Sequence, residues 1–133
     1  MATDAVSVIR EAYGAYAAGD VDTMLGYVDP ELEWTYLDPA EEDPPPRVCH
    51  GRRELEVALR RQLGQGLTAQ LEETVGNGDE VMVVVRIPGV DALRARKADD
   101  RNFDVMTVKD GRIVAIRACH DRAEARSAAG LDG

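Results

Sequence analysis

Apolar positions in the first part of the chain recur at helical spacing. Over residues 4–18 they fall three or four apart, at Val6, Ile9, Tyr13, Tyr16 and Ala17. Asp4 is a capping residue before this stretch and Gly19 follows it, so the pattern predicts a helix. A second helix is predicted from Asp20, with apolar positions up to Val28, and Asp29-Pro30 ends it.

The period changes to two after Glu31. A strand is predicted here, and every second residue lies on one of its faces: Leu32, Trp34, Tyr36 and Asp38. Residues 39–46 are acidic and rich in proline, which is typical of a surface loop or a rim. A third helix is predicted after His50-Gly51, where three leucines recur every four residues, at Leu55, Leu59 and Leu63.

The second half of the chain reads as strands. A first hairpin is predicted from strands at 67–75 and 80–87 with a turn at 76–79. A shorter strand follows at 92–97. A second hairpin is predicted from strands at 103–108 and 112–120 with a turn at 109–111. A short helix over 122–129 closes the chain. This order predicts an α+β fold with an antiparallel sheet, and we expect one domain over residues 1–133 with its core over about 5–130.

One strand is apolar on both faces. Val81 through Val85 contains no polar residue, whereas a strand in an antiparallel sheet with one solvated face needs only alternate apolar positions. A second subunit would cover the other face, so we expect a homodimer.

Charge narrows the classes of partner. The 133 residues include 25 acidic and 16 basic side chains, a formal net charge of -9, which argues against nucleic acid or an anionic membrane as a partner. No apolar run approaches the ~18 residues of a membrane span. With only two cysteines and no secretory signal at the N-terminus, we expect a reduced, cytoplasmic location.

Four segments together resemble a known family. They are Ile9-Arg-Glu-Ala-Tyr with Ala18-Gly-Asp-Val-Asp22, Glu33-Trp34, His50-Gly51, and Phe103 to Ile113 followed by His120-Asp-Arg-Ala-Glu124. They resemble the nuclear transport factor 2-like superfamily, most of all its SnoaL-like polyketide cyclase group and more distantly the ketosteroid isomerases. The resemblance implies a curved sheet wrapped around the N-terminal helices as a cone with a mostly apolar pocket. It also implies that the protein is usually dimeric.

The resemblance points first to the end of the last strand. In SnoaL-like cyclases an Asp at the position of Asp121, with a nearby His such as His120, is an acid/base on a carbon activated by a carbonyl. Asp121 with Glu124 also has the spacing of a helix cap, and His120 could equally be a wall of the pocket. Both interpretations stay open at this point.

Two further carboxylates resemble catalytic groups of the isomerases. Asp38-Pro39 resembles the proton-abstracting dipeptide, although it lies two residues late, and a turn-forming Asp is the alternative. Asp104 stands where that family has a carboxyl donating to the oxyanion, with an ion pair to an Arg as the alternative. The family's tyrosine position falls on Ala12. Tyr13 and Tyr16 are near it, but a helix turns by about 100° per residue, so neither takes its place automatically.

The leading hypothesis is a cofactor-free acid/base enzyme of the isomerase or cyclase type that acts on a small apolar carbonyl-bearing molecule. The alternative is a non-catalytic module of the same fold that binds a small ligand or dimerises. No metal is expected, because the side chains of Cys49-His50 and of Cys119-His120 point to opposite faces of an extended chain. Six residues could line the ligand pocket or simply fill the core: Tyr16, Trp34, Tyr36, Met82, Phe103 and Met106.

Overall fold

The computed structural model describes residues 5–36, 47–64, 69–86 and 101–131. Its elements follow one another in the order α1 (Ala5–Ala17), α2 (Val21–Leu25), β1 (Val28–Tyr36), β2 (Arg47–His50), α3 (Arg52–Gly64), β3 (Gln70–Asn77), β4 (Glu80–Arg86), β5 (Arg101–Lys109), β6 (Arg112–Cys119) and α4 (Arg122–Ala128). No helix in these ranges is long and apolar enough to cross a membrane.

The strands form one curved, open sheet of six strands in the order β2-β1-β6-β5-β4-β3. Strands β3 to β6 form an antiparallel meander, as predicted, and the α+β class is confirmed. The sheet is not antiparallel throughout, because β1 runs parallel to β6, with Trp34 beside Ile116. Alternation of apolar residues is the same in parallel and antiparallel pairs, so the sequence pattern could not show this direction.

Helices α1, α2 and α3 cover one face of the sheet. The residues buried between them and the sheet form the helix-side core, whose fully buried members include Ile9, Tyr16, Leu32, Val83 and Met106. The short α2 is fixed at its start because the Asp20 carboxylate accepts a hydrogen bond from the Thr23 N–H at 3.1 Å. The predicted capping role of Asp20 is therefore confirmed.

Helix α4 covers the opposite face. The α4-side core consists of buried residues from three strands, β4, β5 and β6, and from α4 and the residue that follows it: Met82, Val84, Phe103, Val105, Cys119, Ala125 and Ala129. In β4, Val81, Val83 and Val85 point to the helix-side core, while Met82 and Val84 point to α4. The two apolar faces of this strand are thus explained within one chain. The apolar pattern of β4 therefore does not require a second subunit, and the homodimer stays a prediction.

Some predicted boundaries differ from the structure. Helix α2 ends at Leu25, and Val28, expected on its apolar face, begins β1 beside Ile113. The four-residue strand β2 was not predicted, because it is too short to show a period. The expected loop at 39–46 and the expected strand at 92–97 lie outside the described residues.

Candidate functional site

Asp104 lies on the helix-side face of the sheet. In β5 it stands opposite Val83 of β4 and Ala118 of β6. Its neighbours Phe103 and Val105 belong to the α4-side core, and alternation therefore turns the half-buried Asp104 toward the helices, on the same face as Met106. The role of Asp104 in chemistry stays a prediction.

Tyr13 brings a phenol to the same face. It projects from α1, is half-buried, and packs against the helix-side core. Burial raises the pKa of its phenol far above the ordinary value, and the negative charge of Asp104 and the neighbouring Tyr16 add to the effect. The Tyr13 hydroxyl is therefore a neutral hydrogen-bond donor at every physiological pH, close to a carboxyl group.

Tyr16, a predicted pocket residue, is instead an anchor between helices. Its side chain is fully buried, and its hydroxyl donates to Gln62 Oε1 at 2.8 Å and lies 3.3 Å from the carbonyl oxygen of Leu59. Burial raises the pKa of its phenol to about 12. Because the hydroxyl is already bonded to α3, Tyr16 ties α1 to α3 and does not offer a free donor to a ligand.

Asp121 caps α4. Its Oδ1 accepts a hydrogen bond from the Glu124 N–H at 2.8 Å, and Glu124 Oε2 in turn accepts from the His120 N–H at 2.7 Å. The exposed His120 ring also contacts this carboxylate, with Nδ1 at 2.8 Å from Oε2. Partial burial on its own would raise the pKa of Glu124, but the hydrogen bonds and charge of His120 outweigh it and lower the pKa. Asp121 is exposed, so the capping interpretation of Asp121 accounts for its place in the structure.

The other predicted residues are only partly described. Asp38 lies outside the described residues, and for Tyr36 only the backbone, the last residue of β1, is described. Trp34 is half-buried and packs against the helix-side core, to which the fully buried Met106 belongs.

Met82 and Phe103 require a correction. Both belong to the α4-side core, on the opposite face of the sheet from Trp34 and Met106. The guanidinium of Arg122 stands 5.9 Å from the centre of the Phe103 ring. The six predicted pocket residues therefore cannot line one cavity, because alternate positions of the strands face opposite sides of the sheet.

Comparison with known proteins supplies the family. Residues 9–116 match the SnoaL-like domain. The chain belongs to this family. The resemblance stated from the sequence is thereby confirmed.

Solved structures agree with the fold of this SnoaL-like chain. IdmH from Streptomyces antibioticus, described as a candidate polyketide cyclase, superposes with a TM-score of 0.67 at 20% identity, over 96% of this chain and 99% of that chain. A protein of unknown function with a cystatin-like fold from Xanthomonas campestris gives a TM-score of 0.67 at 16% identity, over 92% and 95% of the two chains. At these identities the likeness concerns the fold alone.

A curated relative of the SnoaL-like chain is named as a transcription factor and not as a cyclase. The ECF RNA polymerase sigma factor SigJ of Mycobacterium tuberculosis is 26% identical over 112 residues, which is 82% of this chain and 35% of SigJ. The chain therefore spans about a third of the length of the curated relative it matches.

Two strand-to-helix junctions of the SnoaL-like chain are built alike. Cys49-His50 precedes α3 and Cys119-His120 precedes α4, and each His N–H donates to the glutamate four residues later, at 3.0 Å to Glu54 and 2.7 Å to Glu124. Within the part of the chain that the structure describes, no group of three or more His, Cys, Asp or Glu could hold a metal ion.

Sequence reasoning named Asp104 but passed over Tyr13 as its partner. The helix position expected for the tyrosine is occupied by Ala12, which is fully buried in the helix-side core. Tyr13, about 100° further around α1, packs against that core, and the charge of Asp104 acts on its phenol. The signal that could have shown it is the pair of tyrosines three residues apart, since Tyr13 and Tyr16 must share one side of the helix.

Proposed function

We propose that this chain is a cofactor-free acid/base enzyme of the isomerase or cyclase type, acting on a small apolar carbonyl-bearing molecule. The observation that carries the proposal is the neutral, half-buried phenol of Tyr13 close to the carboxyl group of Asp104, on an apolar face of the sheet. Membership of the SnoaL-like family supports the same class of reaction.

The two groups suit stabilisation of an enolate. A base takes a proton from the carbon next to the carbonyl, and the electron pair of that C–H bond forms the C=C bond while the carbonyl oxygen becomes negative. The Tyr13 O–H donates to this oxygen, and Asp104, when protonated, supplies a second donor. Return of the proton to a different carbon gives an isomer, and attack of the enolate carbon on a second carbonyl closes a ring.

Asp38 is the base in this proposal, on the ground of the resemblance of Asp38-Pro39 to the isomerase dipeptide. Asp121 and His120, the first candidates from the sequence, are assigned to the junction before α4, because their hydrogen bonds hold that helix start. The substrate is expected to be a neutral or weakly charged apolar molecule, since an acidic chain of net charge -9 repels polyanions.

The proposal is tested by Tyr13→Phe and Asp104→Asn on a substrate found by thermal-shift screening of apolar ketones, lactones and epoxides. We expect kcat to fall roughly 100-fold for Tyr13→Phe, the usual loss for one oxyanion donor. Asp121→Asn is the matched control, since Asn caps a helix as well as Asp does and activity should be retained. Wild-type activity in Tyr13→Phe and Asp104→Asn would overturn the assignment.

The alternative is a non-catalytic module that binds a small ligand or dimerises. It is favoured by the likeness to SigJ, whose name is that of a transcription factor, and by the use of Asp121 as a cap. Sedimentation at micromolar concentration tests the homodimer, and a monomer would contradict it. Ligands that raise Tm without being turned over, whether or not Tyr13 is replaced, would favour the binding module.

A further inference from the structure

An open groove runs between α1 and the edge strand β3. Its volume is about 420 Å³, within the roughly 300–1,000 Å³ of small-molecule sites. Its floor and walls come from one side of α1 and the start of β3: Arg10, Tyr13, Gly14, Ala17, Ala69 and Leu71. The groove exists because small side chains occupy α1 where larger ones would reach β3.

Gly14 has no side chain to fill the groove. A Cβ atom built on Gly14 meets no heavy atom within 4 Å, so this part of the helix surface faces open space. Ala69 is buried in the floor and Leu71 is half-buried against the helix-side core. The middle of the groove is therefore apolar.

Arg10 gives one end of the groove a positive charge. Within the described part of the chain, its guanidinium Nη2 donates a hydrogen bond to Thr74 Oγ1 at 3.3 Å, and this hydroxyl is a neutral acceptor. The two carboxylates on the rim are held by other arginines, Glu72 by Arg101 at 2.7 Å and Glu73 by Arg122. Arg10 is also the only Lys or Arg in the first 46 residues. A negative group at this end would thus meet a guanidinium that forms no ion pair with a carboxylate of the described residues.

Tyr13 joins the groove to the proposed site. Tyr13 lines the groove and also packs against the helix-side core, on the side of the sheet that carries Asp104. A molecule lying along the apolar middle would have one end at Arg10 and would pass close to Tyr13.

We propose that the groove between α1 and β3 binds an apolar monocarboxylate, with its carboxylate on Arg10 and its hydrocarbon part over Gly14, Ala69 and Leu71. The inference rests on the proposed function only in that Tyr13 is shared. It deepens that function by naming an apolar acid as the class of substrate, and it is tested by binding, without turnover.

The test is isothermal titration of the full chain with decanoate and with decanol, its neutral counterpart. We expect wild-type protein to bind decanoate more tightly than decanol. Arg10→Gln should weaken decanoate about tenfold, because a hydrogen bond to a charged group is lost, and should leave decanol unchanged. Gly14→Leu should abolish binding of both by filling the groove.

Gly14→Ala is the matched control, since it adds only a methyl group in open space and should keep decanoate binding. Both Gly14 variants should keep or raise Tm, because Gly is a poor residue in a helix interior. No decanoate binding to the wild type, or binding that Arg10→Gln and Gly14→Leu leave unchanged, would overturn the inference. A changed sedimentation coefficient of Gly14→Leu with unchanged decanoate binding would assign the groove to a second copy and would overturn it too. Loss of turnover in Tyr13→Phe with decanoate binding retained would support the proposed reaction independently.

Discussion

The thiol of Cys119 shows how burial governs a single residue. It lies in the α4-side core with 5% of its surface exposed, and this burial, reinforced by the Glu124 charge, raises its pKa to about 11. The raised pKa means that the folded state holds the thiol proton more tightly than the unfolded chain does. Its contribution to stability is complete below the unfolded pKa of about 8.5 and is lost as the pH rises toward 11.

Cys119 should therefore react slowly in the folded protein. At pH 8 only about one thiol in a thousand is ionised at this pKa, so alkylation by iodoacetamide should be on the order of a hundredfold slower than for an ordinary thiol. The Cys49→Ser variant leaves Cys119 as the single thiol, and the same variant unfolded in guanidinium is the control. Equal rates in folded and unfolded protein would contradict the buried position.

Single residues also show what the sequence could not settle. Alternation along β5 is enough to place the carboxyl of Asp104, because a strand has only two faces. It is not enough to place the tyrosine, because one position along a helix changes the direction of the side chain by about 100° and the packing of α1 decides which position faces the sheet. The family's tyrosine position falls on Ala12, whereas the phenol on which the charge of Asp104 acts is that of Tyr13.

At the scale of elements, α4 is held to the sheet by polar contacts around its core residues. Arg122 contacts Glu73 and the Phe103 ring, and Asn77 Nδ2 donates to the Ala129 carbonyl oxygen at 2.8 Å. The helix has only seven residues, too few to be stable alone, so its start and its contacts with the sheet must hold it.

Loss of the cap should destabilise this helix. Asp121→Ala removes the acceptor of the Glu124 N–H and should lower the free energy of unfolding by about 1 kcal/mol, whereas Asp121→Asn should change it little. Urea denaturation of the two variants beside the wild type measures the difference. An Asp121→Asn variant as unstable as Asp121→Ala would show that the charge, and not the cap, matters.

Glu124 gives the same junction a pH dependence. Its pKa in the folded state is lowered, so its carboxylate stabilises the fold above the ordinary pKa, and this contribution is lost as the pH falls through the lowered value. Glu124→Gln should therefore be less stable than the wild type at pH 7, and the difference should shrink as the pH falls below the ordinary glutamate pKa of about 4.3. Urea midpoints at several pH values test this, and a constant difference would contradict it.

Most elements followed from the pattern of the sequence, and the exceptions have physical reasons. The long helices and the meander have many repeats of their period, and their turns carry glycine, such as Gly78 with φ of +64°. Strand β2 has four residues and no readable period. The parallel pairing of β1 with β6, and the covering of β4 by α4, depend on contacts between distant segments that no local pattern records.

For the whole molecule, the proposal of one domain over residues 1–133 predicts a single cooperative unfolding transition. Trp34, the only tryptophan, reports on the helix-side core, while far-UV circular dichroism reports on all elements, including α4. The two signals should change at the same urea concentration. Separate midpoints would mean that parts of the chain unfold independently.

The central claim, that Tyr13 and Asp104 stabilise an enolate, can be measured before the product is known. A ketone that raises Tm in the screen is incubated with the protein in D₂O, and exchange of its α-protons is followed by proton NMR. The account predicts exchange by the wild type, roughly 100-fold slower exchange by Tyr13→Phe, and retained exchange by Asp121→Asn. No exchange of any bound ketone by the wild type, or equal exchange by Tyr13→Phe, would contradict it.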